Sequence, residues 1–506
     1  MKRFLERHRD RITGTLSGFD RMLFRGTLRS ITHCKGLEIF LHSQYVLMKD
    51  FGAYVIRLSE GLVAHAKQVA SEAGRPYQYL PSAKESKEEL ALQIAKRDRI
   101  KQGLICVFAC VEPCQSFDLR KDRASGHLKL VTKERKCQHL YFYYLDREFG
   151  LMHVRLQSWL PFSIQVCING REWLARQMDR AGISYQQRDN CFSYIADPQR
   201  AQQLMDRLTA RNFNPWLDKL ARKVNHWMDP QSGLDIRSYY WSGRQMEYAT
   251  DVMFRSSDSL AELYPLLLRH AMFQFGSEEV MRFLQRHTNK RFAGEVSSDL
   301  QRRVEGIRVK HRVEENSIKM YDKQGSVLRI ETTINNPRRF KVRRKGWRRG
   351  KPVMKWLPLR KGIADLRRRA ELSQGANARY LDALAVVGLQ TPSYQLLDGV
   401  SAPVKAKRQY RALRPISSAD ASLFQVILHG KFALQGFRNR DLRQALGQPA
   451  VKNISARISR LLALLRAHKL IFKVCKTNYY RITRKGHQVM ATALKFRQPD
   501  LALLAA

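Results

Sequence analysis

The first 200 residues of the chain mix two patterns of apolar positions. Spacings of three and four run through 37–73, 86–102 and 170–181, and this periodicity predicts helices. Alternating or continuous apolar runs predict strands, which fall at residues 11–31, 103–111, 128–132, 139–144, 152–159 and 163–168. Gly18-Phe19-Asp20-Arg21 is expected to divide the first run into two strands. Because helices and strands alternate, residues 1–200 are predicted to form an N-terminal α/β domain.

Residues 201–388 form a central region with a different pattern. Helical periodicity dominates 201–290, interrupted by one predicted strand at 246–254. Extended runs return at 307–313, 317–321 and 326–334, around the turn Asp322-Lys323-Gln324-Gly325. A helix to about Val387 closes this central helical and β-hairpin domain, and the prolines and serines of 389–418 predict a linker.

The last predicted domain covers residues 419–506 and begins with two short helices. The first fits 419–430, and the second follows Asn439, an expected N-cap, and ends at Gly447. A third helix begins near Asn453 and carries an apolar stripe of Ile454, Ile458, Leu461, Leu462 and Leu465. Two extended runs, 470–476 and 479–483, then predict a β-hairpin.

Helix, helix, basic helix and hairpin is the element order of a winged helix-turn-helix. The runs Arg457-Ile458-Ser459-Arg460-Leu461-Leu462, His468-Lys469-Leu470-Ile471 and Tyr479-Tyr480-Arg481-Ile482-Thr483 resemble winged-helix regulators and plasmid replication initiators. The resemblance implies that the third helix contacts duplex DNA through Ser455, Arg457, Ser459 and Arg460. Lys476 of the hairpin is expected to act through the phosphate backbone. The alternative is a winged helix used for protein contact or dimerisation.

The predicted fold class is therefore α+β and multidomain, and composition narrows the class of partner. The chain has 506 residues, 91 Lys and Arg against 45 Asp and Glu, and a formal net charge of +46. Because 44% of the residues are hydrophobic, the chain has enough apolar material for folded cores. A folded chain this cationic repels itself unless it binds a polyanion, and a nucleic acid is the simplest such partner. An anionic membrane surface is the competing partner, although no apolar run of about 18 residues predicts a spanning helix.

The N-terminus and the cysteines bear on location. Met1-Lys2-Arg3-Phe4-Leu5 lacks the apolar core of a signal peptide, so a bacterial-type cytoplasmic, nucleoid-associated protein is expected. In such a compartment the eight cysteines are expected to be reduced thiols. Cys110, Cys114, Cys137 and His139 have the composition of a Cys₃His zinc site. Their spacing is poor for zinc ligands, so buried thiols are the favoured interpretation.

Residues 338–369 are the strongest concentration of positive charge. They contain fifteen Lys or Arg and one acidic residue, Asp365. Glycine and proline interrupt the run, so it is predicted to be a loop or hairpin arm rather than a helix. Basic side chains hold phosphates and indoles stack on unpaired bases, which makes this arm a predicted contact for a single strand of DNA or for RNA. The residues expected to make that contact are Arg343, Arg344, Lys345, Trp347, Arg348 and Arg349.

The candidate chemistry lies in the predicted hairpin of residues 317–334. Lys319, Tyr321 and Lys323 share one face of their strand by the period-two rule, and Glu331 lies on the opposing strand. A carboxylate facing lysines across a hairpin can hold a divalent metal and a phosphate, or can be a cross-strand ion pair. Both interpretations remain open from the sequence.

A Tyr-x-Lys strand followed by a Leu-Arg-x-Glu strand resembles rolling-circle replication initiators of plasmids and filamentous phages. In that family a tyrosine attacks the DNA backbone beside a metal-binding acid. The resemblance implies that Glu331 holds Mg²⁺ or Mn²⁺ and that Tyr380 is the candidate nucleophile, with Lys319 and Tyr321 beside them. The paired histidines of the wider nickase class are missing, and His311 alone lies near.

Two functions follow from these observations. The first is a DNA-binding replication-initiator-like protein of a mobile element, with a metal-dependent nickase or endonuclease activity. The second is a non-catalytic DNA-binding regulator or an RNA-binding scaffold. A separate possibility, a cluster of acids binding two metals as in RNase H-like nucleases, would use Asp20 with Glu247, Asp251 or Glu331.

Overall fold

The computed structural model of the chain describes residues 1–81, 85–234, 236–285, 296–303, 306–348, 350–387, 393–405, 408–429, 432, 436–446, 454–475 and 477–497. The chain is a mixed α/β protein that divides into two compact units. The first unit contains Met1–Ala261 and Ser297–Leu381, and the second contains Glu262–Arg282 and the chain from Asp382 onward.

A large sheet is the framework of the first unit. The strands up to residue 358 are β1 (Ile12–Thr27), β2 (Tyr77–Tyr79), β3 (Gly103–Lys121), β4 (Leu128–Asp146), β5 (Gly150–Gln157), β6 (Ile164–Asn169), β7 (Tyr185–Arg188), β8 (Cys191–Ile195), β9 (Tyr240–Phe254), β10 (Val296–Arg303), β11 (Gly306–Val313), β12 (Asn316–Lys323), β13 (Val327–Thr333), β14 (Lys341–Arg348) and β15 (Lys351–Pro358). Eleven strands of the described chain form one sheet in the order β10-β11-β12-β13-β9-β1-β6-β5-β4-β3-β2. The pairs β7–β8 and β14–β15 form separate two-stranded hairpins.

Helices cover this sheet and close its core. In chain order the helices of the first unit are α1 (Lys2–Arg7), α2 (Cys34–Ser43), α3 (Phe51–Glu72), α4 (Lys87–Arg97), α5 (Gly170–Ala181), α6 (Pro198–Ala210), α7 (Asn214–Val224) and α10 (Leu366–Leu384). Two further helices, α8 (Ser257–Gln274) and α9 (Ser277–Phe283), lie mostly in the second unit. Helix α3 packs on the sheet through one apolar face. Its residues Leu58, Leu62 and Ala66 recur every four residues and are buried in the same core as Phe142 and Val154 of the sheet. None of the helices in the described residues has the length and apolar character needed to cross a membrane.

The sheet corrects the predicted domain boundary at residue 200. Strand β9 lies beyond that boundary, yet it pairs with β1 along the whole of β1 and with β13 on its other side. The predicted N-terminal and central domains therefore share one framework. Sequence patterns reveal each strand but not its partner, because pairing between strands more than 200 residues apart leaves no local signal.

The turn predicted within residues 11–31 is also absent, and β1 runs through it as one strand. Gly18 serves close packing instead: a β-carbon at this position would lie 2.3 Å from the Met205 side chain of α6. Residues 128–146 likewise form the single strand β4 rather than two.

The second unit contains the helices and hairpin predicted near the C-terminus. Its further elements are α11 (Ser393–Asp398), β16 (Val404–Lys405), β17 (Gln409–Tyr410), α12 (Ser418–Ile427), α13 (Asn439–Ala445), α14 (Ile454–Ala467), β18 (Ile471–Lys473), β19 (Tyr480–Ile482) and α15 (Arg484–Arg497). The predicted order of three helices and a hairpin is confirmed. Asn439 is not the N-cap, however: α13 begins with it, and the Arg438 backbone N–H donates to Asp441 at 2.7 Å.

This unit also contains two segments that the sequence patterns had assigned to other parts of the chain, the predicted linker 389–418 and Glu262–Arg282. Val400 and Leu413 of the predicted linker are buried in the same core as Phe424 and Leu465. Within the Glu262–Arg282 segment, Ser277 accepts a 2.9 Å hydrogen bond from Arg481 of β19. The compact unit is thus larger than the predicted domain 419–506, because its core needs apolar residues from the former linker as well.

One pair of cysteines departs from the expected reduced state. Cys114 of β3 and Cys137 of β4 form a disulfide. Among the described residues the remaining cysteines are free thiols, namely Cys34, Cys106, Cys110, Cys167, Cys191 and Cys475. His139 lies beside the disulfide, and its Nδ1 lies 3.1 Å from the Cys137 carbonyl oxygen.

Candidate functional site

A buried arginine organises the polar centre of the first unit. Arg329 of β13 is completely buried, and it is the cross-strand partner of Asp251 on β9. Its guanidinium donates to both Asp251 carboxylate oxygens at 2.5 and 2.9 Å, and to Asp20 Oδ2 at 2.7 Å. It also donates to the Asn190 carbonyl at 2.7 Å. A second buried arginine, Arg171, approaches Asp251 at 3.0 Å.

Asp20 belongs to this centre because β1 is irregular at that point. The register between β1 and β9 shifts between Phe19 and Met22, and Asp20 lies within the shift. Its Oδ2 atom accepts from Arg329 and Asn190, whereas its buried Oδ1 atom has no hydrogen-bond partner in the described structure. Burial outweighs the attraction of Arg329 and Arg171 and raises the pKa of Asp20 to about 6.

The predicted carboxylate–lysine pair forms across the hairpin. Lys319 and Glu331 are direct cross-strand partners, and their Nζ and Oε1 atoms lie 2.5 Å apart. The Tyr321 hydroxyl donates to the other Glu331 oxygen at 2.8 Å. Burial alone would raise the pKa of Glu331, but the Lys319 charge and these two hydrogen bonds hold that pKa below its ordinary value. Burial and the Glu331 charge raise the pKa of Tyr321 well above its ordinary value.

The second predicted lysine does not face Glu331. The Lys323 Nζ atom lies instead 2.7 Å from a carboxylate oxygen of Asp189, a residue of the turn between β7 and β8. The β7–β8 turn also supplies Asn190 to Arg329. This turn was not implicated by the sequence, since nothing in its composition distinguishes it from an ordinary polar turn.

These groups surround one cavity of about 260 Å³. Its lining is almost entirely polar and consists of Asp20, Arg21, Asp189, Asn190, Glu247, Gly306, Arg308, Lys319, Tyr321, Asp322, Lys323 and Glu331. The structure thus brings together Lys319, Tyr321 and Glu331 as predicted, and adds Asp20 and Glu247, which sequence spacing could not connect. Both acidic and basic side chains line the cavity, so it is suited to a polar ligand that carries both donors and acceptors.

The same geometry does not fit the predicted Mg²⁺ or Mn²⁺ at Glu331. Both oxygens of this carboxylate already accept hydrogen bonds, and the ammonium of Lys319 occupies the position a cation would need. Among the described residues, the one group of three His, Cys, Asp or Glu ligands within 4.8 Å of one another is Cys114, Cys137 and His139. Asp20, Asp251, Glu247 and Glu331 therefore do not converge into an RNase H-like two-metal centre in this structure.

Tyr380 does not lie at the cavity, contrary to its predicted role as nucleophile. It is completely buried, its hydroxyl lies 3.1 Å from His311 Nε2, and its ring packs against Phe283 at 5.1 Å. A hydroxyl enclosed in this way cannot reach a DNA backbone. The short motif around Tyr380 on α10 placed it on a helix but could not show which face is buried.

The basic arm is the hairpin of β14 and β15, which is one of the two forms predicted. Cross-strand pairing places Arg343 opposite Trp356 and Trp347 opposite Pro352 on one face. This face also carries Lys341, Lys345 and Met354, and all of these side chains are exposed. Arg344 points elsewhere, since it approaches Asp365 at 3.4 Å. The Arg348 side chain and Arg349 lie outside the described residues.

The third helix of the predicted winged helix, α14, presents the predicted polar face. Ser455, Arg457, Ser459 and Arg460 are exposed, while Ile458, Leu462 and Leu465 are buried in the core. Asn439 of α13 donates to Ser459 Oγ at 2.8 Å and to the Ser455 carbonyl at 3.1 Å. These bonds fix the orientation of α13 against α14. Lys476 lies outside the described residues.

No protein-family model, curated protein or solved structure matches this chain. The function of these sites therefore has to be argued from their own geometry and charge.

Replacing Arg329 with methionine should destabilise the first unit strongly. The change leaves Asp20 and Asp251 buried without their shared cation, which costs about 3–5 kcal/mol in comparable buried networks. Urea unfolding of the full chain measures this loss. Arg200→Met, an exposed position on α6, should stay within about 0.5 kcal/mol of wild type, and an equal effect of both substitutions would show that Arg329 is not the organising charge.

Proposed function

We propose that this chain is a nucleic-acid-binding protein whose β14–β15 hairpin holds an unpaired strand. One observation carries the proposal: a single exposed face of the hairpin presents two indoles among three cations. Trp347 is 71% exposed and Trp356 is 66% exposed. Exposed indoles are costly in water, and their usual use on a cationic surface is to stack on a partner's ring systems.

The spacing of the two indoles supports this proposal. Trp356 lies opposite Arg343, which is four residues from Trp347 along β14. At about 3.3 Å per residue the two rings are separated by ~13 Å along the strand, which leaves room for unstacked bases between them. Lys341, Arg343 and Lys345 alternate along the same face, so phosphates on the strand meet cations while bases meet indoles.

The second unit supplies a separate contact for duplex DNA. Its order of three helices and a hairpin, with the exposed face of α14 carrying Arg457 and Arg460, supports a winged helix-turn-helix whose third helix enters the major groove. A protein that holds both duplex and unpaired strand suits a replication initiator of a mobile element, acting at the bacterial nucleoid. The alternative functions, a non-catalytic DNA-binding regulator or an RNA-binding scaffold, would use the same two surfaces.

Removing both indoles should weaken binding to single strands selectively. Base–aromatic stacking contributes about 1–3 kcal/mol per base, so Trp347→Ala with Trp356→Ala should weaken oligo(dT) binding by at least about tenfold. Duplex affinity should change by less than about twofold, because paired bases are not open to stacking. Fluorescence anisotropy of the full chain measures both affinities. Tyr45→Ala, at a residue that is 95% exposed, is the matched control, and equal losses on both substrates would contradict stacking.

Arginines of α14 should control duplex affinity and its salt dependence. Arg457→Ala and Arg460→Ala should each weaken binding to a mixed-sequence duplex and lower the slope of log affinity against log salt by about one for each phosphate that is no longer neutralised. Arg497→Ala removes an equally exposed charge from α15 and should have little effect. If all three variants bind duplex alike, α14 is not the DNA-contacting helix.

A second candidate function, strand nicking, is favoured by the hydrogen bond between Tyr321 and Glu331. Tyr321 lines the cavity, and its hydroxyl is 2.8 Å from the Glu331 carboxylate. In this step the Tyr321 oxygen bonds to phosphorus, its proton passes to Glu331, and the P–O3′ bond breaks. The 3′ oxygen takes a proton from water, leaving a 5′-phosphotyrosine. Because the pKa of Tyr321 is raised, the proton has to move as the new bond forms.

Incubation of the full chain with supercoiled DNA and Mg²⁺ or Mn²⁺ tests this candidate. Wild type should produce open circles and a covalent 5′ adduct, and Tyr321→Phe should abolish the adduct while leaving DNA affinity unchanged, since the substitution removes one hydroxyl. Tyr380→Phe, the control at the buried tyrosine, should retain the adduct. Absence of nicks with wild type under both metals would eliminate the nicking function and leave the binding proposal intact.

A further inference from the structure

Three arginines gather at one place on the large sheet, remote in sequence from the hairpin arm. Arg155 of β5 and Arg25 of β1 are the two cross-strand partners of Gln165 on β6, so these three residues form one row across the sheet. The third arginine, Arg244, lies at a register shift between β1 and β9. With its amide oxygen turned toward them, Gln165 accepts from Arg155 Nη1 at 3.1 Å and from Arg244 Nη1 at 2.7 Å.

The negative charge near this row does not balance the three guanidinium groups. Among the described residues, Arg25 and Arg244 have no carboxylate within ion-pair distance, and the buried Arg25 Nε has no hydrogen-bond partner. Arg155 binds Glu112 at 2.7 Å, but Glu112 also approaches Lys87 at 3.3 Å. Burial lowers the pKa of Arg25 most, and the charges of Arg244 and Arg155 lower it further.

We infer that Arg25, Arg155 and Arg244 form a phosphate-binding site that holds the backbone of a nucleic-acid strand; this inference rests on the proposed function. Guanidinium groups present paired N–H donors that match phosphoryl oxygens, and a strand phosphate supplies the missing negative charge. Gln165 aligns two of the three guanidinium groups through one oxygen atom, so the site is built before any anion arrives.

The burial of these arginines distinguishes this site from the hairpin surface. Arg25 and Arg155 lie on strands of the eleven-stranded sheet and are partly buried, whereas Lys341, Arg343 and Lys345 of β14 are exposed on an arm. A partly buried guanidinium interacts with an anion more strongly than an exposed one, because water screens the charge less. These arginines should therefore fix the position of a nucleic-acid strand, while the indoles of the hairpin arm stack on its bases.

The test compares three variants of the full chain: Arg25→Gln, Arg244→Gln and the control Arg200→Gln, which removes one exposed charge from α6. Anisotropy with labelled oligo(dT) at constant ionic strength should show that each of the first two weakens binding by about tenfold, the usual effect of losing a charged hydrogen bond. Arg200→Gln should change affinity by less than about twofold. Without ligand, Arg25→Gln should be at least as stable as wild type in urea, since it relieves repulsion, and so weaker binding cannot arise from misfolding.

A second arm separates a strand phosphate from a free one. Inorganic pyrophosphate, matched for ionic strength with sodium chloride, should raise the melting temperature of wild type less than oligo(dT) does. If pyrophosphate stabilises wild type through Arg25 and Arg244 while the variants bind oligo(dT) normally, the site takes a free phosphate and the strand assignment is overturned. If wild type binds strands and all three variants bind equally well, the site is overturned while the proposed function stands. If wild type binds no strand at all, the proposed function fails.

Discussion

Arg329 is the charge around which the first unit is assembled. It is completely buried, and it joins Asp20 of β1, Asp251 of β9 and the Asn190 carbonyl of the β7–β8 turn. Removing a guanidinium from water costs several kcal/mol, and only partners at these positions offset that cost. A shift of one residue between β9 and β13 would move Arg329 to the opposite face from Asp251 and leave both charges buried and unpaired. The ion pairs therefore fix the register of the three central strands.

This arrangement also explains why the described carboxylates of the cavity, and Asp251 behind Asp20, do not form a metal centre. Lysine and arginine side chains already neutralise them: Lys319 binds Glu331, Lys323 binds Asp189, and Arg329 binds both Asp20 and Asp251. A divalent cation would have to displace these resident charges. Of these carboxylates, Asp20 keeps one buried oxygen that has no described partner, and the Tyr321 hydroxyl that lines the cavity donates to Glu331.

Away from this centre, the first unit places positive charge where little neutralises it. The cluster of Arg25, Arg155 and Arg244 lies on the sheet, and the indole-bearing face of β14 and β15 lies on an arm whose described strands pair with each other. The excess of cations over anions in the whole chain is +46. That excess lowers stability through self-repulsion unless a polyanion binds, so these clusters are the places where binding a nucleic acid would recover the most free energy.

Local pattern was enough to predict the strands of residues 306–334, the absence of a regular helix from the basic arm and the C-terminal order of helices and hairpin. In each case the signal is contained within a few residues: alternation along a strand, a turn between strands, or apolar spacing along one helix. The pairing of Lys319 with Glu331 was predictable for the same reason, because the two strands are joined by a short turn.

Tertiary structure alone decided the rest. The β1–β9 pairing, the meeting of Asp20 with Arg329, the burial of Tyr380 and the cluster of three arginines all depend on contacts between residues far apart in sequence. A strand or helix pattern shows that one face is polar, but not which distant element will cover that face. Sequence by itself determined the excess of positive charge and most of the local elements. Only the folded sheet decided which charges neutralise one another, because neutralisation depends on distance in space.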